Sequence, residues 1–388
     1  MVLPFMAESE KLAAVREALP AVGAGIYLDG ATAGPLPAET AAAMAEAEAW
    51  ELRTGRVHPG AEDDAAQRAA EAQAAAAAVL TVDVDDILLT HGAAEAIAIA
   101  ARAPDWRTGD RVVTSTLEHP AVLASLRALA RRAVDVDVVD VGQGDDEDRM
   151  LGALGAAIQP ATRLVVVSHV AWANGALLPV ARIAELVHAR GALLAVDGAQ
   201  AAGAIRVDVG AIGADFYAAS GYKWLLGPSG IGVLAKARGR SDDRPVIGDG
   251  SGFYRPAVLG LARSVGWLSM YVGLEWIHRR GQSLARRLAD RLRSTTGVTV
   301  LTPADRMATL VAFRIAEWPA EDAADELRAR TFAIVSTLSD ADAIRASVGF
   351  YNTEDELDRF ASAVELLAGH TPATMPARRR LEILGQES

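Results

Sequence analysis

The chain has 388 residues, of which 51% are hydrophobic, a length and composition that favour a well-filled globular core over disorder. Its net charge of −12 argues against a nucleic-acid partner, because phosphate-backbone binding depends on clustered lysine and arginine. We see neither a signal-peptide pattern in residues 1–5 nor an apolar run of the roughly 18 residues that a membrane span needs, so we expect a cytoplasmic protein without a membrane partner. Cysteine is absent, which excludes disulfides, thiolate metal sites and cysteine nucleophiles, and no metal centre is predicted.

Helices and strands alternate through the first two thirds of the chain. Alanine-rich helices are predicted over 36–54 and 62–80, and a strand at 86–90 then leads into Gly92 and another helix. The same patterns predict strands at 111–115, 136–141, 163–170, 192–196, 214–219 and 230–235, with helices at 120–132 and 180–190. Seven strands in this order indicate a mostly parallel sheet covered by helices, that is, an α/β fold. We interpret the acidic run 145–148 as a solvated loop.

The pattern changes from about Trp267, where one long helix is predicted through Arg293. Strands at 298–301 and 309–315 and helices at 320–332 and 353–368 complete an α+β region. We therefore predict an N-terminal arm over 1–20 that packs with the small domain, a large domain over 21–262, a small domain over 263–370 and a tail over 371–388. The short basic run at 378–380 is interpreted as part of a solvated terminus.

Lysine is rare in this chain, and one lysine lies in a distinctive segment. Only Lys11, Lys223 and Lys236 are lysines, and Lys223 lies in the sequence Ser-Gly-Tyr-Lys-Trp. A lysine amine that has lost its proton can form a Schiff base with an aldehyde, which arginine cannot do. Asp197 ends an apolar strand, where α/β proteins bind their ligands. A carboxylate for a pyridine nitrogen and a lysine after the next strand are the pair that pyridoxal phosphate needs, although a helix N-cap is the alternative role for Asp197.

Further candidates surround this pair in the sequence. Backbone N–H groups of Gly92, Ala93 and Ala94 at a helix start are suited to hold a phosphate, and Ser220 offers a hydroxyl just before Lys223. Gln200 is a candidate donor to the phenolic oxygen of the cofactor, with a surface turn amide as the alternative.

Two histidines, an amide and an arginine complete the candidates. His119 opens a helix after a strand, so its ring is a candidate to stack on the pyridine face, unless it only caps the helix. Asn174 follows a strand and is a candidate neighbour of the ring oxygen, whereas His169 lies inside that strand and is more typical of a satisfied core histidine. Arg345 suits bidentate capture of a substrate carboxylate.

Residues 196–200 and 220–232 resemble the signature of class V aminotransferases, which belong to the fold-type I group of pyridoxal-phosphate enzymes. Further segments agree in the same order, namely 27–31, 34–37, 118–119, 168–175 and 345–356. The likeness covers nearly the whole chain. It implies a large cofactor-binding domain around a mostly parallel seven-stranded sheet, plus a smaller α+β C-terminal domain. Segments 34–37 and 168–175 most resemble the isopenicillin N epimerase-like branch, which includes cysteine and cystine C–S lyases.

The resemblance implies pyridoxal 5'-phosphate as cofactor, an amino-acid substrate, and a homodimer whose active sites are shared between subunits. It implies Schiff-base formation and proton transfer by Lys223, with Asp197 on the pyridine nitrogen and His119 stacked on the ring. It also implies that Gln200 and Asn174 lie near the ring oxygen and that Arg345 binds the substrate carboxylate.

The chain departs from the family pattern at several positions. Tyr222 precedes the lysine where the family commonly has histidine, and Ala94 stands where a hydroxyl often helps to hold phosphate. Ser264 is a candidate for the hydroxyl that the family donates to the cofactor across the dimer, although its flanking sequence matches poorly. Ala31 and His58 are further candidates for substrate binding.

The sequence leaves the final reaction step open between β-elimination, transamination and racemisation. Our leading hypothesis is β-elimination from a cysteine S-conjugate in thiol or natural-product metabolism, with decarboxylative deamination of such a conjugate as a close variant. An aminotransferase or epimerase is the second hypothesis. Because persulfide-forming desulfurases need a cysteine nucleophile, we do not expect sulfur delivery to iron–sulfur assembly. A non-catalytic binding protein is a remote alternative, and the glycines of 248–252 fail as a dinucleotide fingerprint because they do not follow a strand and open a helix.

Overall fold

A computed structural model describes residues 7–237 and 252–377 and shows a seven-stranded sheet at the centre of the larger part of the molecule. After a short strand β1 (Ile26–Tyr27), its strands are β2 (Ile87–Thr90), β3 (Arg111–Ser115), β4 (Asp135–Val139), β5 (Thr162–Ser168), β6 (Leu193–Asp197), β7 (Phe216–Ser220) and β8 (Gly232–Lys236). They lie in the order β2-β8-β7-β6-β5-β3-β4, and β8 runs antiparallel to both of its neighbours. The predicted, mostly parallel seven-stranded sheet is confirmed.

Helices bury both faces of this sheet. The helices in this part of the chain are α1 (Glu8–Ala18), α2 (Ala38–Thr54), α3 (Ala61–Leu80), α4 (Ala93–Ala100), α5 (Pro120–Arg127), α6 (Glu147–Ala157), α7 (Val180–His188), α8 (Val209–Ile212) and α9 (Arg255–Gly266). Along β5, Leu164 and Val166 pack into one apolar cluster while Val165 and Val167 pack into the other. This two-sided burial explains why the central strands are continuous apolar runs. It also leaves the carboxyl ends of the parallel strands as the edge where polar side chains can gather.

The C-terminal part is a smaller α+β unit. Its elements are α10 (Leu274–Arg293), β9 (Val298–Val300), β10 (Leu310–Ile315), α11 (Ala320–Thr331), β11 (Ala333–Ile334), β12 (Ser336–Leu338), β13 (Ala343–Ser347) and α12 (Glu354–Ala368). Four of the strands form an antiparallel sheet in the order β12-β13-β10-β9. Helix α12 begins with a capping box in which Thr353 and Glu356 satisfy each other's backbone N–H groups. Strand β13 was not predicted, and it carries Arg345.

The N-terminal segment contacts this smaller unit. Strand β1 pairs in parallel with β11, and Arg16 of α1 forms a 2.7 Å ion pair with Glu356. Val15 and Leu19 pack in an apolar cluster with Phe350 and other residues. The N-terminal segment therefore packs against the smaller C-terminal unit.

Two expectations about secondary structure are wrong. The single long helix over 267–293 is interrupted: a π-helical turn (Trp267–Val272) ends at Gly273, whose φ of +90° lies where glycine is favoured, and the helical segments on either side are bent by 86°. The acidic run 145–148 is only partly a loop. The Asp146 carboxylate caps α6 by accepting from the Arg149 N–H at 2.9 Å, and acidic residues in the first turn complement the helix dipole.

Within the described residues, no single helix is long and apolar enough to cross a membrane. The bent pair Arg255–Val272 and Leu274–Arg293 meets the length and composition criteria only when its two segments are taken together. The basic run 378–380 and most of segment 242–256 lie outside the described residues.

Candidate active site

Asp197 stands at the carboxyl end of β6, in the middle of the sheet. All but the first residue of the strand are buried, and Asp197 is only 7% exposed. Its Oδ1 accepts from the Ala199 N–H at 2.9 Å, which fixes the carboxylate at the start of the following turn. Burial raises the pKa of Asp197, while the charges of Lys223 and His119 oppose that rise. The carboxylate is therefore a stronger base than an aspartate in water.

Lys223 lies in a tight turn after the neighbouring strand β7. The Gly221 and Gly227 N–H groups donate to Ile231 and Gly221 carbonyls, at 2.9 and 2.7 Å, and the Leu226 N–H donates to the Lys223 carbonyl at 3.0 Å. Burial lowers the pKa of Lys223 and Arg345 adds to that effect, whereas Asp197 opposes it. Loss of the proton is what a lysine needs before its amine can act as a nucleophile or base.

His119 lies close enough to both groups for their charges to act on it. It is the N-cap of α5, and its Nδ1 accepts from the Ala121 N–H at 3.1 Å, so a neutral ring carries its proton on Nε2. Burial lowers the pKa of His119, and so do Lys223 and Arg345. The ring therefore stays neutral at neutral pH, and the helix-capping alternative coexists with its position beside Asp197 and Lys223.

Arg345 reaches this region from β13 of the smaller unit and is 5% exposed. Its Nη1 donates to the Trp172 carbonyl at 2.8 Å, its Nη2 to Thr32 Oγ1 at 3.0 Å and its Nε to Ser336 Oγ at 3.1 Å. A guanidinium has five N–H groups, so one N–H on each terminal nitrogen remains. Asp29 lies 3.8 Å from Nη2. The remaining pair is the one that a carboxylate ligand could use.

The Trp172 side chain and backbone connect His119 with Arg345. Its ring meets the His119 ring edge-on at 5.0 Å, and its carbonyl accepts from Arg345. Asn174, two residues later, donates to the Gln143 carbonyl at 2.8 Å and accepts from the Ala176 N–H at 3.1 Å. The Asn174 amide thus supports this turn, and its Nδ2 also lies 3.5 Å from Gln143 Oε1.

Gln200 joins the sheet edge to the N-terminal segment. Its Nε2 donates to the Ala31 carbonyl at 3.1 Å and its Oε1 accepts from Trp224 Nε1 at 2.9 Å. The carboxamide is buried and held at both ends, which differs from the surface amide weighed as an alternative. Its second N–H remains available, and Ala31 is brought next to it.

The predicted phosphate-binding groups meet at the start of α4. The Ala93 N–H lies 3.4 Å from Ser220 Oγ, which joins this helix to the end of β7. Gly92 has a φ of +152°, and a Cβ added to Gly232 of β8 would lie 2.6 Å from the Gly92 Cα. Only glycines allow such a close backbone approach. The first N–H groups of α4 have no acceptor within the helix, and Ala94 is exposed there.

Three other candidates stand apart. The Ser264 hydroxyl is fully buried and donates to the Leu226 carbonyl at 2.8 Å, so it is not free for a bond across subunits. His58 contacts Trp50 edge-on at 4.5 Å and the Pro59 carbonyl, in the connection between α2 and α3. Tyr222 engages through its backbone, since its carbonyl accepts from the Gly34 N–H at 2.8 Å.

Buried polar residues without a predicted catalytic role lie near Asp197. Glu118 accepts from Ser115 and Ser168, and His169 shares a 2.8 Å hydrogen bond with the Tyr217 hydroxyl. His169 agrees with the expectation of a satisfied core histidine. Glu118 could have been singled out in the sequence because it precedes His119 and follows β3. A single carboxylate at such a position is common, however, and does not by itself indicate a functional role.

The sequence profile described as Aminotransferase class-V matches residues 26–251 and 254–360, and the chain belongs to this family. Members of this family use pyridoxal phosphate, and the chain is a pyridoxal-phosphate-dependent enzyme.

Named relatives carry different activities. A protein of Methanothermobacter thermautotrophicus named probable cysteine desulfurase is 29% identical over 92% of this chain and 98% of its own length. The isopenicillin N epimerase of Streptomyces clavuligerus is 33% identical over 58% of this chain and 65% of its own length. These two names describe different reactions.

Solved structures share the fold. The cystine C–S lyase C-DES in complex with its reaction product cysteine persulfide has a TM-score of 0.81 at 22% identity, over 89% of this chain and 99% of its own. The cysteine desulfurase CsdA of Escherichia coli has a TM-score of 0.78 at 25% identity, over 91% of this chain and 97% of its own.

Proposed function

We propose that this protein is a C–S β-lyase that acts on a cysteine carrying a substituent on its sulfur. The observation that carries the proposal is a buried Lys223 and Asp197 pair, with the buried Arg345 close enough to act on Lys223, in a chain that contains no cysteine. Pyridoxal phosphate supplies, when bound, an aldehyde for covalent attachment and an electron sink for a developing carbanion. The remaining chemistry falls to this chain's own side chains.

Lys223 is the attachment point and the base. A buried lysine near Arg345 favours its neutral amine, and that amine removes the proton from the substrate Cα. The C–S bond at Cβ then breaks, and its electron pair leaves on sulfur. The proton that Lys223 has accepted is available for the leaving thiolate. Pyruvate and ammonia are the remaining products after addition of water.

Asp197 would hold a proton on the pyridine nitrogen of the bound cofactor, and His119 would limit the tilt of its ring. The raised pKa of the buried Asp197 favours a shared proton at that nitrogen. His119 lies at the same sheet edge, and the charges of Asp197 and Lys223 both act on its pKa. Gln200 retains an N–H that could donate to the phenolic oxygen. Asn174 would have to exchange its 3.5 Å contact with Gln143 Oε1 to reach the same oxygen.

Gly92, Ala93 and Ala94 at the N-terminus of α4 would hold the phosphate, with the Ser220 hydroxyl beside them. Ala94 brings only a backbone N–H. Substrate binding falls to Arg345, whose two remaining N–H groups match a carboxylate. Ala31 lies next to Gln200, where the substrate side of the ring would be.

Elimination is favoured over persulfide transfer to the enzyme because that transfer requires a thiol side chain, which this sequence lacks. The C–S lyase structure, in which cysteine persulfide is named as a released product, supports chemistry of this kind on the same fold. Epimerisation is the second candidate, favoured by the 33% identity to isopenicillin N epimerase. Both begin with the same proton transfer at Cα.

We also propose a homodimer in which a second copy of this chain covers the face around α2 and the start of α9. Leu52 is 87% exposed, Val57 95% and Tyr254 50%, and Leu52 and Tyr254 line one hollow. This face contains the α2–α3 connection with His58, which would let His58 approach the site of the partner. Light scattering should give a monomer for Val57→Glu and a dimer for the control Val138→Glu on edge strand β4; an unchanged dimer in both contradicts this face.

The reaction is tested by product analysis of the purified holoenzyme. S-substituted cysteines, cystine and ordinary amino acids are supplied, and pyruvate, ammonia, keto acids and Cα deuterium exchange are measured. We expect pyruvate and ammonia with β-sulfur substrates alone. Lys223→Arg should abolish turnover, whereas the matched control Lys236→Arg on β8 should retain it. Keto-acid exchange with ordinary amino acids would establish an aminotransferase, and deuterium exchange with inversion but without pyruvate would establish an epimerase.

A further inference from the structure

Glu118 is a second acidic group behind Asp197, and it is 3% exposed. Its Oε1 accepts from Ser115 Oγ at 2.6 Å and its Oε2 accepts from Ser168 Oγ at 2.6 Å. Each serine has a single hydroxyl proton, and both protons point to Glu118. These two short bonds favour the ionised carboxylate in a place where burial disfavours it.

The backbone sets Glu118 next to Asp197 through the sheet. Ser168 ends β5 and is the register partner of Asp197 at the end of β6. Ser115 ends β3, the neighbour of β5 on its other side. Glu118 therefore sits behind the strand ends, on the protein side of Asp197. Glu118 has no direct part in the proposed reaction.

We propose that Glu118 is a positioning residue that acts through Asp197, its negative charge strengthening the hold of Asp197 on the proton at the cofactor ring nitrogen. The inference rests on the proposed role of Asp197. A negative charge behind Asp197 disfavours loss of the shared proton, because two neighbouring carboxylates repel each other. Loss of the Glu118 charge weakens the hold of Asp197 on this proton but leaves the contact between Asp197 and the ring nitrogen intact.

The groups that face Glu118 make its charge responsive to pH. Burial is the main cause that raises the pKa of Glu118 to about 7, the charge of Asp197 adds to it, and the hydrogen bonds from Ser115 and Ser168 oppose it. His119, the next residue, stays neutral in this range because burial lowers its pKa. Glu118 thus changes charge near neutral pH.

The test is a pH titration of the visible absorbance band of the holoenzyme. In the wild type we expect an inflection near the Glu118 pKa of about 7. Glu118→Gln keeps an amide that can accept from one serine and donate to the other, and it removes the charge. The inflection should vanish, and the pKa of the Lys223-linked cofactor should fall by about one pH unit, since one nearby negative charge is lost.

Ser115→Ala is the matched variant that keeps the charge and removes one hydrogen bond. It should move the inflection to higher pH, because the ionised form of Glu118 loses a donor. A purely structural role would not remove the inflection in Glu118→Gln and also raise its pH in Ser115→Ala. Should Glu118→Gln fail to fold, Ser115→Ala decides alone, and an inflection unchanged from the wild type overturns the proposal.

A measurement without cofactor separates this inference from the proposed reaction. Infrared difference spectra of the cofactor-free protein between pH 6 and 8 should contain a buried carboxylic acid band that Glu118→Gln removes. Its absence overturns the inference even if lyase activity is present. Conversely, an intact band and titration in a protein that forms no pyruvate would contradict the lyase proposal and leave the Glu118 inference standing.

Discussion

Replacing Arg345 by lysine keeps a positive charge on β13 but removes the planar fork. In the structure three of the five guanidinium N–H groups are bound by Trp172, Thr32 and Ser336. We assign the two that remain to the substrate carboxylate. A charge-assisted hydrogen bond contributes about 1.5 kcal/mol, so loss of both costs about 3 kcal/mol, or roughly 150-fold in kcat/KM. Most of this should appear in KM, because the substrate and the transition state share the contact.

The assay is steady-state pyruvate formation from an S-substituted cysteine. Arg314→Lys on the neighbouring strand β10 is the control, since Arg314 is exposed and its Nε donates to the Ala341 carbonyl. We expect that control to match the wild type. A kcat/KM for Arg345→Lys within about threefold of the wild type, with the protein folded and cofactor bound, would refute the assignment of the carboxylate to Arg345.

Arg345→Ala adds a stability signature that does not depend on substrate. Asp29 Oδ1 is buried without a hydrogen-bond partner, and burial raises the pKa of Asp29 while Arg345 opposes that rise. Because folded Asp29 binds its proton more tightly than the unfolded residue, its ionisation reduces stability as the pH rises. Without Arg345 the ionisation of Asp29 lowers the stability of the fold further. The gap in thermal stability between wild type and variant should therefore be larger at pH 8 than at pH 5; a gap that narrows with pH would contradict the pairing.

Three further predictions concern the same region. His119→Ala should lose about 1 kcal/mol of stability through the missing N-cap and release cofactor faster, whereas His119→Asn should restore the stability but not the retention; wild-type retention in either variant contradicts the stacking role. Gly34→Ala should displace the turn of Lys223, because the added Cβ would contact the Lys223 carbonyl, and so abolish the visible band, while Gly23→Ala, which meets open space, should leave it unchanged. Burial lowers the pKa of His169 to about 4, so the unfolded chain binds more protons between about pH 4 and 6.5 and stability should fall with acid across that window; His169→Asn should flatten that dependence, as thermal melts can check.

The strand ends that carry Asp197 and Lys223 were predictable because apolar runs and turn glycines are local signals. The mostly parallel direction of the strands was predictable, since parallel neighbours need a crossover connection that the intervening helices supply. The strand order, with β8 antiparallel between β2 and β7, was not predicted. Arg345 could be named, but its strand and its partners Trp172 and Thr32 could not, because those contacts join residues far apart in sequence.

The errors have local causes. The helix over 267–293 looked continuous because its apolar spacing continues through Gly273, whose positive φ depends on the packing of two segments. The acidic run 145–148 was predicted to be a solvated loop because of its charge. The Asp146 carboxylate instead caps the N-terminus of α6. Glu118 was not assigned a role because its importance comes from Ser115 and Ser168, which only the folded sheet brings to it.

The central claim is that pyridoxal phosphate is attached to Lys223. The holoenzyme is reduced with borohydride, digested and analysed by mass spectrometry for a lysine that carries the reduced cofactor. The account predicts that mass on the peptide that contains Lys223, with none on peptides that contain Lys11 or Lys236 and none at all in Lys223→Arg. Labelling of either other lysine, or a visible absorbance band that persists in Lys223→Arg, would contradict it.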